Sequence, residues 1–299
     1  MLLSPTSLAM AALAHKPAAL VIYVGNDLGA PTELHRFEAW LGCPVKGVSV
    51  HSGQANWADW QGSIGYALSL WNGSGRQLYW SVPLIPEGAI LAEAARGAYD
   101  ARYVAAAKVI LAGTFGGDVI PVRTGWEFNQ DYMPWSARGQ ERDFADGYRH
   151  FVRAFRTVSN RFRFEWAPAI GGNSDPARAY PGDNYVDVVG IDAYYNVRWD
   201  SSDAGDAWRT NVIRPYGFGW LEAFAATHGK PTAYGEWGVM SPGSGPYVQQ
   251  AALWYAGHRV AYQSYWNSDS SFPGKLNTGR LPEPGMVYRK AFSTCRRTG

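Results

Sequence analysis

Residues 119–135, VIPVRTGWEFNQDYMPW, change character part-way through. The first six, VIPVRT, form an apolar, partly β-branched run of strand length; the remainder is a loop of polar and aromatic side chains with Glu127 near its head. Helical patterns flank the run, in 89–112 (AILAEAARGAYDARYVAAAKVILA) and 139–158 (GQERDFADGYRHFVRAFRTV), where apolar residues recur at three and four. Helix, buried strand, helix is the repeating unit of a parallel sheet with crossover helices.

Seven more runs fit the same reading: 20–25 (LVIYVG), 45–51 (VKGVSVH), 77–84 (QLYWSVPL), 161–168 (RFRFEWAP), 186–194 (VDVVGIDAY), 231–236 (PTAYGE) and 260–266 (VAYQSYW), with a further helical pattern over 206–228. Eight strands alternating with helices predict a single (β/α)8 barrel. An open doubly wound sheet would place a phosphate-binding loop after its first strand, but GNDLGAPTE has no GxGxxG, and GTFGGD at 113–118 runs from helix into strand. The 299 residues, 46% hydrophobic, suit one barrel domain of about 250 residues or more. Residues 17–299 are therefore expected to form the (β/α)8 domain, after a leader at 1–16. That leader, MLLSPTSLAMAALAHK, resembles the end of a signal peptide with an A-x-A site, although no basic residue precedes its apolar run. The expected location is secreted or periplasmic.

Composition narrows the partners. A charged fraction of 17% and a net charge of +2 do not supply the basic face that a nucleic acid needs. No apolar stretch approaches the ~20 residues of a membrane span. No cofactor or metal is implied, since there is no CxxC, HExxH or Cys/His cluster. Cys43 and Cys295 both fall on the bottom face of a barrel, which allows a disulfide. A monomer is expected.

Glu127 and Glu236 stand 109 residues apart, at the C-terminal ends of the fourth and seventh predicted strands. Barrel active sites open at that face, and two carboxylates among tryptophans and tyrosines are what acid/base cleavage of a sugar polymer requires. A retaining pair would stand about 5 to 5.5 Å apart. Strand alternation places Arg123, Gly125 and Glu127 on one side, so an ion pair between Arg123 and Glu127 is the competing reading. On strand seven, Thr232, Tyr234 and Glu236 share a side. Arg123, Asn129, Trp135, Asp192, Tyr194, Trp266, Trp80, His51 and Trp237 are the substrate-binding candidates. Trp80, Trp135, Tyr194, Tyr195, Trp199, Trp237 and Trp266 follow strand ends, which suggests a groove for several sugars and endo-acting cleavage. Trp57, Trp60 and Trp71 read as packing residues, and Glu165 as structural.

The sequence resembles glycoside hydrolase family 26, the β-mannanase-like group of the clan of retaining (β/α)8 glycosidases. The motifs that carry the resemblance are RTGWEFNQDYMPW, EWAPA, YPGDNYVDVVGIDAYYN and KPTAYGEWG, within residues 119–267. It implies Glu127 as acid/base, Glu236 as nucleophile, Tyr194 as the group orienting the nucleophile, and Trp266 as a platform beneath the sugar. The family usually has histidine just before the acid/base; here that residue is Trp126, whose indole donates one hydrogen bond and accepts none. A related endo-glucanase, xylanase or exopolysaccharide hydrolase, and a non-catalytic carbohydrate-binding barrel, are the alternatives.

Overall fold

The computed structural model describes residues 16–114, 118–293 and 295. The A-x-A segment and residues 115–117 of the GTFGGD segment lie outside the described residues. Along the chain run β1 (Ala19–Tyr23), α1 (Ala30–Leu41), β2 (Gly47–His51), α2 (Trp57–Leu70), β3 (Gln77–Ser81), α3 (Leu91–Ala95), α4 (Asp100–Ala112), β4 (Ile120–Arg123) and α5 (Glu141–Val158). They are followed by β5 (Phe162–Trp166), β6 (Val188–Tyr195), α6 (Ala204–Ile213), α7 (Phe218–Thr227), β7 (Thr232–Val239), α8 (Gly245–Gly257), β8 (Val260–Trp266) and α9 (Pro282–Phe292). The eight strands pair in sequence order, all parallel, and β8 closes on β1. The protein is a (β/α)8 barrel.

Local sequence accounts for the helices. In α5, Phe144, Tyr148, Phe151, Val152 and Phe155 are buried on one face, while Glu141 and Asp143 in the first turn and Arg156 in the last complement the helix dipole. Asn56 caps α2 through bonds from the Ala58 and Asp59 amides. Two expected helices are each divided. The 89–112 pattern breaks at Gly97, which takes φ 80°, and the 206–228 pattern breaks around Pro215 and Tyr216, the latter at φ 55°. Periodicity survives such a break, because the segments on either side bury the same kind of face.

Most apolar burial lies between the strands and the helix ring, where Trp60, Trp166, Tyr148 and Tyr247 are enclosed. The barrel lumen holds a smaller cluster of Val21, Tyr79, Ala233 and Tyr262. Cys43 and Cys295 form a disulfide, with Cα atoms 5.8 Å apart, tying the end of α9 to the α1–β2 turn.

One feature of β7 positions the site. Gly190 and Asp192 of β6 pair with Ala233 and Glu236 of β7, so three steps on β7 oppose two on β6. Such a bulge reverses the facing of everything beyond it. Ala233 and Glu236 therefore both turn into the barrel, whereas Thr232 and Tyr234 point outward to hydrogen-bond Glu222 of α7. This corrects the expectation that Thr232, Tyr234 and Glu236 share a side.

Candidate active site

Arg123 is the anchor of the site. It is 2% exposed, at the last position of β4. Its Nη1 donates to both oxygens of Asp192 at 2.6 and 2.7 Å, its Nε donates to Ser81 Oγ at 3.2 Å, and its Nη2 donates to Glu236 Oε1. Of the two glutamates, the one it pairs with is therefore Glu236, not Glu127. Tyr194 donates to the other oxygen of Glu236 at 2.8 Å. Burial pushes the Glu236 carboxyl up, but Arg123, His51 and the Tyr194 hydroxyl outweigh it and hold the group below its ordinary 4.5. Burial also drives the Asp192 carboxyl up, against the pull of Arg123.

Glu127 has the opposite surroundings. The strand ends at Arg123, and Glu127 sits in the following turn with φ 52°, after Gly125 at φ 59°. The alternation predicted for 123–127 does not apply there, because the chain has left the sheet. A left-handed glutamate costs about 1–2 kcal/mol, and its amide bond to Ala167 O at 2.8 Å helps hold the turn. Among the described residues its carboxyl receives one side-chain bond, from Tyr132 Oη at 2.9 Å. Burial, reinforced by the charge of Glu236, raises its pKa to about 7, with Tyr132 and Arg123 opposing. One glutamate is thus held ionised and its neighbour is held protonated to near neutrality.

His51 ends β2 with Nε2 3.8 Å from Glu236 Oε1, beyond hydrogen-bond reach. Burial lowers its pKa to about 4, so at neutral pH the imidazole is uncharged, and the buried Nε2 has no partner among the described residues. Trp266 stacks on Tyr23 at 3.8 Å between centroids and meets the edge of His51 at 5.6 Å. Trp266 retains 9% exposure.

Several expected sugar contacts are corrected by their burial. Trp80, Trp135 and Trp237 are 1%, 0% and 2% exposed, so no sugar can stack on them. Trp135 donates to Trp126 O at 2.6 Å, and Trp237 donates to Gln263 Oε1 at 2.5 Å on the helix side of the barrel. Asn129 clasps the neighbouring loop, donating to Ala169 O and Gly171 O and accepting from the Ala169 amide, so its amide is already engaged. Arg123 and Asp192 lie beneath Glu236 and support it rather than meeting a ligand. Tyr195 is likewise buried, at 1%, whereas Trp199 is 68% exposed. Strand-end position alone does not separate the rings that pack outward against helices from those that face the opening.

The sequence reading left Tyr23 and Ser81 out of the candidate set; Tyr132 belongs to the polar and aromatic loop read beside the Glu127 carboxylate, and the structure puts its hydroxyl on that carboxylate. Tyr23 ends β1, so the strand-end rule applied to β3 and β8 would have found it; Ser81 carries no such signal. Trp126 is 6% exposed, with Arg123 Cζ 5.1 Å from its ring centroid and the Trp135 ring at 4.6 Å, so it forms the apolar wall beside the arginine.

Residues 115–231 match the family model of Glycosyl hydrolase family 26. Over 106 residues, 33% of this chain, the sequence is 31% identical to a mannan endo-1,4-beta-mannosidase of Bifidobacterium adolescentis. Over residues 115–231 the chain is similar to glycoside hydrolase family 26. The match spans only 10% of the length of that Bifidobacterium protein. Among solved structures, the family 26-like barrel is similar to a Bacillus subtilis mannanase, with a TM-score of 0.64 and 13% identity over 93% of this chain and 86% of the other. It is also similar to a β-mannanase from a protist symbiont of the termite Reticulitermes speratus, solved with a gluco-manno-oligosaccharide, with a TM-score of 0.60 and 14% identity over 93% and 87% of the two chains. At these identities the likeness is one of fold.

The family 26-like barrel gives a direct test of the anchor. Arg123→Met leaves Asp192 and Glu236 buried without their cation, and is expected to lower unfolding free energy by about 3–5 kcal/mol. Urea denaturation at pH 7 measures it, and a loss within about 0.5 kcal/mol would mean that the cluster needs no cation.

Proposed function

We propose that the protein is a secreted or periplasmic, retaining, endo-acting glycoside hydrolase that cleaves a β-linked polysaccharide. The observation that carries this reading is the opposed setting of two glutamates at one end of the barrel. Such a divergence is how a pair of carboxyl groups divides into acid and nucleophile. Glu236, ionised and oriented by Arg123 and Tyr194, attacks the anomeric carbon; Glu127 protonates the leaving oxygen and then deprotonates the water that releases the glycosyl-enzyme. The neutral His51 and the stacked Trp266, which retains 9% exposure, wall the space beside Glu236. The disulfide fits an oxidising compartment.

The relatives' names make β-mannan the first polymer to test, against cellulose, xylan and bacterial exopolysaccharides. Endo action now rests on those relatives and on Trp199 and Trp266, because the other strand-end tryptophans are internal. Product chromatography over that panel decides linkage and chain length together, and mixed early oligosaccharides are expected. Release of monosaccharide alone in the first minutes would overturn endo action, and no release from any polymer would overturn the enzyme reading.

The two carboxyl groups also set the pH profile. Glu127 must be protonated, so kcat/KM is expected to fall as pH rises through about 7. Glu236 must be ionised, so the acid limb lies below its ordinary 4.5. A profile still rising at pH 8 would reject Glu127 as the proton donor.

A further inference from the structure

Glu165 belongs to none of these roles, yet it is 3% exposed inside the barrel on β5. Tyr262 donates to its Oε2, while Oε1 is buried without a partner among the described residues. Two glycines make room for it. A Cβ at Gly190 would overlap the carboxyl, and a Cβ at Gly235 would lie 2.9 Å from Glu165 Oε1, 2.8 Å from Arg123 Nη1 and 3.3 Å from Asp192 Oδ1. Three side chains thus converge on the backbone just before Glu236, around a single cation.

The donors are unevenly distributed. Asp192 receives two bonds from Arg123, Glu236 one each from Arg123 and Tyr194, and Glu165 one from Tyr262. A buried carboxylate oxygen with no donor is costly, so Glu165 is the acid of this group suited to hold a proton while Glu236 is charged. Burial does push its carboxyl up, with Glu236 adding and Arg123 and Tyr262 opposing.

A route for that proton lies on the side away from the site. A basin of 840 Å³ opens at the N-terminal ends of the strands, with Glu165, Tyr262 and Tyr79 in its wall. Lys16, Lys46, Arg163 and Arg259 also line it, with Asp118 as a second carboxyl.

We propose that Glu165 is a positioning residue that exchanges charge with Glu236 through Arg123: neutral while Glu236 is a carboxylate, and ionised when Glu236 becomes an ester. This rests on the nucleophile role proposed for Glu236. In that step a Glu236 oxygen forms the bond to the anomeric carbon, the glycosidic C–O bond breaks, and the leaving oxygen takes the proton of Glu127. The Glu236 charge is then gone, and Arg123 has lost a counter-charge. Glu165 releases its proton to water in the basal basin, and its carboxylate replaces that charge beside Arg123. Hydrolysis of the ester restores the Glu236 carboxylate, and Glu165 takes a proton back.

Carboxyl-13C-glutamate labelling tests this in the intact chain, with the Glu165 signal assigned by its loss in Glu165→Gln or, if that variant does not fold, by its loss in Glu165→Asp. Glu236→Gln mimics the uncharged ester. The Glu165 titration is expected to move down by about one pH unit or more between wild type and Glu236→Gln. It is also expected to move up in Tyr262→Phe, which lacks the donor to its carboxylate. Identical midpoints in wild type and Glu236→Gln, or an upward move in Glu236→Gln, would overturn the exchange. A purely structural Glu165 gives no such link. Because no turnover is read, failure of the polysaccharide panel and failure of this titration are separate results.

Discussion

Glu236→Ala is expected to lower kcat on polysaccharide on the order of 10⁵-fold, the scale seen when an enzyme loses its nucleophile. The alanine removes the attacking oxygens and opens space beside the anomeric carbon. A small external anion such as azide should then restore part of the rate by attacking in place of the carboxylate, giving a glycosyl azide of inverted configuration. That product is the informative measurement. Loss of activity alone follows from many kinds of damage, including the release of Arg123 from one of its two carboxylates, whereas a glycosyl azide requires an intact site that lacks only its nucleophile. Rescue that gives the azide with retained configuration would place the nucleophile elsewhere.

Glu127→Ala is expected to divide substrates by their leaving groups. A sugar alkoxide departs poorly without a proton, so the loss on polysaccharide should reach about 10²–10⁴-fold, the usual contribution of a positioned general acid. An activated aryl glycoside needs no proton in the first step, so its glycosylation rate should change little. Its turnover should instead stall at release of the glycosyl-enzyme, where Glu127 would activate water, and a burst of phenol should appear. Equal losses on both substrates, without a burst, would reject the acid/base assignment. The leaving-group test also separates chemistry from folding, since a damaged barrel penalises both substrates alike.

The architecture was legible because its signals are local. Runs such as VIPVRT and VDVVGIDAY alternate with helical patterns, and strand and helix periods are properties of neighbouring residues. The same local signals placed Glu127 and Glu236 at strand ends, whereas Glu127 lies in the turn four residues beyond β4 and Glu236 within β7, three residues before its last. They misplaced what depends on whether a strand remains regular. Alternation was extended past Arg123, where β4 has already ended, and across the β7 bulge, where the facing reverses. Trp80, Trp135 and Trp237 were read as platforms for the same reason: a strand-end ring looks the same in sequence whether it faces sugar or the helix ring.

What the sequence by itself determined is therefore the (β/α)8 order, the family likeness and the location of two glutamates at one barrel end. Tertiary structure alone decided which glutamate is held ionised. That choice depends on hydrogen-bond donors and charges brought together from distant parts of the chain: Arg123 reaches Glu236 across 113 positions and Asp192 across 69, while Tyr262 reaches Glu165 across 97. A carboxyl's charge in a buried site is set by the donors and cations around it, and those neighbours exist only once the barrel has closed.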